Sequence, residues 1–457
     1  MNQFFFSSLL ACFLFFVGCK SNIVSTPVNL SQDKDIEVYF NHRDTGNKKY
    51  LDEYRNSKRT GDNLEAIIIE AIKKSESTIN IAVQELQLPK IALALAEQAQ
   101  KGVKIQVIVD NKYSKPISEF SSLEVEELPS RERDRYQQYF QLIDADNSGF
   151  LTAQEIKTRD ALVILQNAKI LVIDDTADGS KGSGLMHHKF MIVDSKTVVT
   201  GSTNFTLSGI HGDLAKPDTK GNANHLLVIN NEAIAQIFQE EFDYMWHKRK
   251  FGLSKPYRSP KTVSWDNTDV TIQFSPISRK QDWSLSANGL IAQILNDADN
   301  SIELALFVFS DQNLVDILQN KKQQGVMIKA LIDKEFVFRY YSEALDMLGV
   351  ALVNKCQYEP NNNPWRNPIK TVGTANLAIG DKLHHKLAII DKNTVITGSQ
   401  NWSAAANYLN DETVLVIENK TVAKHFEQEF DSLYQDANLG LPDRIESKIK
   451  QQKAKCN

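Results

Sequence analysis

One stretch occurs twice in this 457-residue chain and constrains both its fold and its chemistry. The first copy covers residues 186–194 (MHHKFMIVD) and is followed by 201–204 (GSTN). The second covers 383–391 (LHHKLAIID) and is followed by 398–401 (GSQN). Both copies read His, any residue, Lys, four residues, Asp, six residues, Gly-Ser-any-Asn. Because these positions recur at identical spacing, they indicate an internal repeat rather than a chance match.

The apolar pattern around both stretches alternates between strands and helices. Segments with this pattern in the first half are strands at 36–40, 78–83 and 103–109 and helices at 63–74 and 92–101. Those of the second half are strands at 272–274 and 301–309 and a helix at 290–298, and residues 325–333 mirror 102–110. The alternation predicts an α/β fold in which each half has a mostly parallel sheet covered by helices.

The spacing between matching segments locates two insertions. The first half carries about 40 extra residues between 111 and 155, and the second carries about 14 around 357–381. Between the halves, residues 247–261 are basic and contain two prolines. We interpret this stretch as the interdomain linker, and in the division into domains we place the linker at 251–268. We expect this linker to be solvated, and a contact with anionic lipid headgroups or nucleic acid is the alternative.

Composition and charge exclude some classes of protein. With 42% hydrophobic and 24% charged residues the chain is typical of a globular protein and not of a disordered one. The net charge of −5 provides no overall field toward nucleic acid or an anionic membrane.

The N-terminal segment predicts export. Residues 1–18 are uncharged and rich in Phe and Leu, as in a signal peptide, and residues 16–19 (FVGC) resemble a bacterial lipobox. This resemblance implies lipidation of Cys19, followed by a polar tether over 19–34. An ordinary signal peptide or an uncleaved anchor are the alternatives. All three place the protein outside the cytoplasm, and we expect a lipid-anchored protein of the bacterial cell envelope that faces the periplasm or the exterior.

Two further cysteines, Cys356 and Cys456, could pair in an oxidising compartment. Cys456 lies in a tail, residues 438–457, that we expect to fray. A disulfide bond is therefore allowed but not predicted.

Within the first insertion, residues 144–155 (DADNSGFLTAQE) fit the twelve-residue calcium loop of an EF-hand. The oxygen ligands that this pattern predicts are Asp144, Asp146, Ser148, the Phe150 carbonyl, Thr152 and Glu155. Helices are predicted on both sides, at 131–143 and 153–166. We expect Ca²⁺ here in a structural or regulatory role, and an acidic surface loop is the alternative.

The repeated motif is suited to a phosphodiester. On a strand, His187 and Lys189 point to one face and His188 to the other. The Gly-Ser turn lets Ser202 and Asn204 approach an anion, and His384, Lys386, Ser399 and Asn401 repeat the set in the second half. If the halves pack about a pseudo-twofold axis, two histidines, two lysines and several neutral donors line one pocket.

Such a pocket supports phosphoryl chemistry without a catalytic metal. One neutral imidazole can attack phosphorus while the other, protonated, gives a proton to the leaving oxygen, and the lysines offset the transition-state charge. A zinc site is an alternative that the neighbouring lysines and the absence of nearby cysteine disfavour. We expect Trp402, directly after the second turn, to be the aromatic residue nearest the mouth.

These residues resemble the double HKD motif of the phospholipase D superfamily, and the likeness extends over about residues 35–435. It implies two α/β/α sandwich domains related by a pseudo-twofold axis, at 35–250 and 269–437, with the EF-hand segment at 111–160 inserted in the first. It implies catalytic roles for His187, Lys189, Asp194, His384, Lys386 and Asp391. In that family the first histidine is the nucleophile and the second the acid.

The resemblance also implies an acidic residue after each motif that orients a histidine. Glu412 occupies this place in the second half, whereas the first half has Asn224. The expected function is hydrolysis of phospholipids through a phosphohistidine, by a monomer attached to the membrane. An endonuclease and a phosphatidyltransferase are alternatives with the same chemistry. A non-catalytic calcium-binding interaction protein is disfavoured because both motifs are intact.

Overall fold

The computed structural model describes residues 29–43 and 49–456, so the predicted signal peptide and Cys19 lie outside the described residues. The strands of the first half are β1 (Ile36–Phe40), β2 (Tyr50–Asp52), β3 (Ser57–Arg59), β4 (Thr78–Val83), β5 (Lys104–Val109), β6 (Leu171–Asp174), β7 (Lys189–Val193), β8 (Thr197–Gly201) and β9 (His225–Asn230). Those of the second half are β10 (Lys261–Trp265), β11 (Thr268–Ser275), β12 (Ser301–Leu306), β13 (Phe309–Ser310), β14 (Met327–Ile332), β15 (Val372–Thr374), β16 (Lys386–Ile390), β17 (Thr394–Gly398), β18 (Trp402–Ser403), β19 (Glu412–Glu418) and β20 (Asn438–Leu439).

Helices cover the sheets in both halves. They are α1 (Leu64–Lys73), α2 (Pro89–Gln100), α3 (Ser122–Glu127), α4 (Ser130–Ile143), α5 (Ala153–Arg159), α6 (Ala161–Asn167), α7 (Leu207–Ile210), α8 (Glu232–Trp246), α9 (Ala287–Asn296), α10 (Gln312–Gln323), α11 (Glu343–Met347), α12 (Ala404–Tyr408), α13 (Lys420–Gln435) and α14 (Asp443–Cys456). Short 3-10 helices lie at Asn111–Tyr113, Ile117–Glu119, Gly252–Ser254 and Trp283–Leu285. Among the described residues, none of the helices combines the length and the apolar composition that crossing a bilayer requires.

The two large sheets are mixed, with mostly antiparallel pairs. The first has the order β1-β9-β8-β7-β4-β5-β6 and the second β10-β11-β19-β17-β16-β12-β14-β15-β20. Only the neighbours β4-β5-β6 and β12-β14-β15 are parallel. The prediction of a mostly parallel sheet was therefore wrong. The motif strands pair with their successors through short turns, and such turns can join only antiparallel strands.

The motif aspartates sit in these turns. Asp194 and Ser195 between β7 and β8 have φ values of 51° and 55°, and Asp391 and Lys392 between β16 and β17 have 50° and 57°. Two successive left-handed residues give a turn whose twist matches that of a hairpin, and Asp tolerates this conformation better than most residues. The aspartate of the repeat is thus also a turn residue.

One hydrophobic core joins the two halves. It contains Phe190 and Phe238 from the first half and Phe274 and Phe426 from the second, all buried. Helices α8 and α13 lie in this central layer, while α1, α2 and α6 cover the outer face of the first sheet and α9 and α10 that of the second. Each sheet is therefore packed between helical layers, and the inner layer is shared.

Reciprocal backbone contacts hold each motif to the opposite half. The His187 amide donates to the Asp411 carbonyl at 3.0 Å, and the His384 amide donates to the Ala223 carbonyl at 3.0 Å. Bridges between Met186 and Asp411 and between Ala223 and Leu383 flank these bonds. The first residues of both motifs are consequently positioned by the other half of the chain.

Part of the predicted linker is buried, which corrects the expectation of a solvated segment. Lys255 is 7% exposed; its ammonium lies 2.5 Å from an Asp411 carboxylate oxygen and also pairs with Glu241. The Arg258 guanidinium pairs with Glu241 as well. Because isolated buried carboxylates are costly, these partners keep the linker against the interface.

The C-terminal tail is anchored, so the expectation that it frays was wrong. β20 pairs with β15, and the Gln452 amide bonds both the backbone N–H and the carbonyl of Val353. Cys356 and Cys456 form a disulfide bond with their Cα atoms 5.3 Å apart. The polar sequence of α14 did not show these tertiary contacts.

Removal of this disulfide should destabilise the protein. The bond joins residues 100 apart in sequence, and closing a long loop typically stabilises a protein by about 2–4 kcal/mol. We expect Cys456→Ser to lower the free energy of unfolding by about that amount in urea titrations under non-reducing conditions. In dithiothreitol the variant and the wild type should unfold together; equal stability without reductant would contradict the bond.

Candidate active site

The two motif histidines are oriented by residues from opposite halves. Nδ1 of His187 lies 2.6 Å from Oε2 of Glu412, and Nδ1 of His384 lies 2.9 Å from Oδ1 of Asn224. Both acceptors are fully buried. Glu412, which the sequence predicted to orient a histidine, therefore serves His187 of the opposite half, the expected nucleophile, and Asn224 takes the equivalent place beside His384.

The carboxylate partner fixes the tautomer of His187. An ionised carboxylate only accepts hydrogen bonds, so Nδ1 of His187 carries the proton and Nε2 carries the lone pair. Glu412 is itself held by Ser399 Oγ, which donates to Oε2 at 2.7 Å, and by Asn410 Nδ2, which donates to Oε1 at 3.1 Å. Nε2 of His187 is thereby the nucleophilic atom that the geometry leaves for a substrate.

A parallel network orients His384. Oδ1 of Asn224 also accepts the Ser202 hydroxyl at 2.8 Å, and its Nδ2 donates to the Gly209 carbonyl at 2.8 Å, which fixes the amide orientation. Ser202 and Ser399 were predicted to bind phosphate directly. Both hydroxyls donate to the residues that orient the histidines, and phosphate binding by Ser202 and Ser399 stays a prediction.

Burial keeps both histidines neutral. Burial lowers the pKa of His187 to about 4, although the Glu412 carboxylate opposes the shift. Burial, followed by the charges of Lys386 and Lys189, holds the pKa of His384 well below its ordinary value. Above pH of about 4, His187 therefore has the lone pair that nucleophilic attack requires.

The motif lysines form a compact pair of buried cations. Lys189 Nζ donates to the His187 carbonyl and Lys386 Nζ to the His384 carbonyl, each at 2.7 Å. Burial lowers the pKa of Lys189 to about 8, and burial together with the Lys189 charge holds the pKa of Lys386 well below its usual range. An anion between them would offset both effects, so the site is complementary to a phosphate.

The two motif asparagines lie beside the pocket in different surroundings. Asn204 Nδ2 is 3.3 Å from Gln84 Oε1 and 3.3 Å from Glu85 Oε1. The Oδ1 atoms of Asn204 and Asn401 are buried without a hydrogen-bond partner among the described residues. Phosphate binding by both asparagines stays a prediction.

The motif aspartates are structural, which corrects the catalytic role predicted for them. Asp194 accepts the amides of Glu76, Ser77 and Thr78 at 2.7–2.8 Å. Asp391 accepts the amides of Asp299, Asn300 and Ser301, each at 2.7 Å. Both aspartates follow the far end of the motif strand, and their carboxylates join each hairpin to the start of β4 or β12.

The second histidine of each motif points away from the pocket, as predicted. His188 bonds Thr413 Oγ1 at 2.8 Å and Glu241 Oε1 at 2.9 Å. Nδ1 of His385 lies 3.0 Å from Nδ1 of His225, and both rings are fully buried. These histidines belong to the interface between the halves.

Sequence reasoning missed several residues of the site. Asp110 and Asp333 accept the amides of Met186 at 2.9 Å and Leu383 at 2.8 Å, directly before the motif histidines His187 and His384. Both end the mirrored segments 102–110 and 325–333, and that correspondence could have identified them. Phe307, and not the fully buried Trp402, adjoins the pocket: its ring lies 4.8 Å from that of His384.

The candidate calcium loop lies between α4 and α5. Carboxylate oxygens of Asp144, Asp146 and Glu155 come within 4.8 Å of one another. The Phe150 carbonyl accepts the Ser148 hydroxyl at 3.0 Å. Thr152 caps α5 in a capping box with Glu155. The predicted helix 153–166 is divided at Asp160 into α5 and α6. The structure thus brings the predicted oxygen donors into one loop.

Comparison with known proteins decides the family. The profile of the family described as "Cardiolipin synthase, PLD-like domain" matches residues 68–246 and 291–434, which is more than half of the chain. The chain belongs to this phospholipase D-like family. Its two matched segments each contain one copy of the repeated motif.

Relatives of this phospholipase D-like protein include proteins whose names refer to the hydrolysis of phospholipids. "Mitochondrial cardiolipin hydrolase" of Xenopus tropicalis is 26% identical over 153 residues, which are 33% of this chain and 62% of the relative. "Phospholipase D" of Rickettsia typhi is 32% identical over 138 residues, which are 30% of this chain and 58% of the relative. The chain thus spans about three fifths of each of these relatives.

A solved structure supports the fold over nearly the whole chain. Phosphatidylserine synthase of Haemophilus influenzae Rd KW20 matches 94% of this chain and 96% of its own, with a TM-score of 0.54 and 12% identity. At that identity the likeness concerns the fold alone.

The motif aspartates and Glu412 should respond differently to isosteric substitution. Asp194→Asn weakens several backbone hydrogen bonds and should lower the free energy of unfolding by about 1–3 kcal/mol, while the folded enzyme keeps its kcat. Glu412→Gln should keep the fold and lose roughly 10²–10⁴-fold in kcat. Urea titrations measure the loss of stability expected for Asp194→Asn, and turnover at low temperature measures the loss of kcat expected for Glu412→Gln. A large loss of kcat in folded Asp194→Asn would restore a catalytic role for the aspartate.

Proposed function

We propose that this phospholipase D-like protein hydrolyses phospholipid phosphodiester bonds through a phosphohistidine on His187. The observation that carries the proposal is the 2.6 Å contact between His187 Nδ1 and Glu412, which makes Nε2 a nucleophile beside two buried lysines. We also infer that the halves are related by an approximate twofold axis, because the contacts at His187 and His384 are reciprocal.

In the first step, Nε2 of neutral His187 attacks phosphorus and the bond to the leaving oxygen breaks. The ring gains positive charge as the N–P bond forms, and the adjacent Glu412 carboxylate stabilises it. Lys189 and Lys386 offset the charge on the non-bridging oxygens. The substrate anion also counteracts the lysine charges that lower the pKa of His384, which favours the imidazolium that protonates the leaving alcohol.

In the second step, neutral His384 takes a proton from water, whose oxygen attacks phosphorus and displaces His187. The products are the free headgroup alcohol and phosphatidate, and both histidines return to their starting states. The same intermediate attacked by an alcohol would give phosphatidyl transfer. We propose that neither step uses a metal ion.

The relatives favour a phospholipid substrate. Two of them are named cardiolipin hydrolase and phospholipase D, and the net charge of −5 does not favour a polyanionic nucleic acid. The sequence prediction of a lipid anchor at Cys19 agrees with a substrate in the membrane, and we propose a location in the bacterial cell envelope. Endonuclease activity is an outcome that the assay distinguishes, and phosphatidyl transfer is the alternative fate of the same intermediate.

The full chain in detergent should release headgroup from phosphatidylcholine or phosphatidylglycerol vesicles, or hydrolyse cardiolipin, in the presence of EDTA. His187→Asn and His384→Asn should each lose at least about 10³-fold in turnover. Wild type quenched in alkali should carry a base-stable, acid-labile phosphoryl adduct that His187→Asn lacks. Plasmid nicking without lipid turnover would overturn the lipid substrate, and loss of turnover in EDTA with the fold intact would overturn the metal-free mechanism.

We further propose that the loop 144–155 binds Ca²⁺. Its oxygen donors are the hard ligands that Ca²⁺ prefers, and Asp144, Asp146 and Glu155 supply enough negative charge. The ion would hold the loop between α4 and α5. Calorimetric titration should give a Kd of about 10⁻⁴–10⁻³ M. Glu155→Gln should abolish the binding heat, and Glu132→Gln on the exposed side of α4 should leave it unchanged. Equal binding by Glu155→Gln and wild type would contradict the site.

A further inference from the structure

The inserted helix α4 reaches the candidate active site. The Tyr139 hydroxyl donates to Oε2 of Glu85 at 2.7 Å, and both residues are 3% exposed. Arg135, one turn earlier on the same face, lies with its NH1 3.5 Å from Oε1 of Glu85. It also bonds the hydroxyl of Tyr113 and lies over its ring. A segment outside the doubled motif thus holds a buried carboxylate.

Glu85 in turn contacts the pocket. It follows β4, its Oε1 lies 3.3 Å from the Asn204 amide nitrogen, and its carbonyl accepts the Phe205 amide at 3.0 Å. In the second half the corresponding carbonyl, which accepts the Trp402 amide, belongs to Val308. The carboxylate is therefore present on one side of the pocket only.

The other end of α4 approaches the second half. Arg131 lies one further turn back on the face of Arg135 and Tyr139. Burial opposes ionisation of Glu335, but its bond with Lys382 and the charge of Arg131 together keep the pKa of Glu335 below its ordinary value. Lys382 immediately precedes the second motif. Arg131 therefore adds a positive charge near Glu335, whose partner Lys382 adjoins the second motif.

We propose that α4 is a wall of the active site, and that Tyr139 and Arg135 make Glu85 a positioning residue that holds Asn204 for the substrate phosphate. This inference rests on the proposed phosphodiesterase function. It assigns a role in the site to an insertion that neither motif copy contains.

The electrostatic consequence concerns Lys189. Burial lowers the pKa of Lys189, and the carboxylates of Glu412, Glu85 and Asp110 oppose that shift. Loss of the Glu85 charge should lower the pKa of Lys189 further, so that the ammonium is lost at a lower pH. The Arg135 charge partly offsets the Glu85 charge, so loss of Arg135 should raise the pKa of Lys189. His187 and Lys386 also face Lys189, and they are unchanged in both variants.

The experiment compares four variants of the full chain by the pH dependence of kcat/KM and by calorimetric binding of inorganic phosphate. Glu85→Gln should move the basic limb to lower pH and weaken phosphate binding about tenfold. Arg135→Gln should move that limb to higher pH. Tyr139→Phe should weaken phosphate binding by roughly 3–10-fold. The matched control is Tyr136→Phe, on the same helix among Phe120 and Phe140, which should match wild type.

Opposite shifts for Glu85→Gln and Arg135→Gln are not expected from general destabilisation, which circular dichroism would detect separately. The positioning role would be overturned if Glu85→Gln left the basic limb of the kcat/KM profile unshifted and bound phosphate with wild-type affinity. A wild-type protein that binds phosphate but turns over no phospholipid would instead overturn the proposed function. The phosphate affinities of the variants would then decide the role of α4 by themselves.

Discussion

The contact between the His187 ring and the Glu412 carboxylate is the interaction on which the rest of the site depends. Its two partners come from different halves of the chain, so neither half can prepare the nucleophile alone. The backbone bond from His187 to Asp411, directly before Glu412, places the ring within reach of the carboxylate. Lys255 of the connecting segment neutralises the Asp411 side chain at the same point. The shared hydrophobic core is thus a condition for the proposed catalysis as well as for stability.

The repeat places equivalent residues in one pocket, but the two sides have diverged in chemistry. A charged carboxylate orients His187, whereas a neutral amide orients His384. In the proposed reaction, the carboxylate stabilises positive charge on the histidine that attacks phosphorus. The amide leaves the other histidine easier to deprotonate, which suits a residue that must both give and take a proton. The different partners therefore separate the roles of two histidines that the motif alone makes identical.

Much of the site could be predicted from the sequence because its chemistry is carried by a short pattern. The spacing identified His187, Lys189 and their counterparts. Strand alternation correctly predicted that the His188 side chain points away from the pocket. The roles of the serines and motif aspartates could not be predicted in this way. A pattern shows which residue types recur, whereas a hydrogen-bond partner distant in sequence, such as Glu412 for His187, depends on how the halves dock.

The fold shows the same division between local and tertiary information. Strands such as β1 and β4 were predicted with their observed bounds, because each has its own apolar alternation. The sequence did not predict strand direction, the burial of Lys255 or the anchoring of the tail through Cys456, because each depends on a partner far along the chain. The insertion depends on both local and tertiary information. Its calcium-loop pattern could be recognised in the sequence, but Tyr139 and Glu85 make contact only because α4 packs beside the pocket. An insertion that supplies a buried partner to the active site has become part of it, and a variant lacking that segment would leave Glu85 without Tyr139 and Arg135.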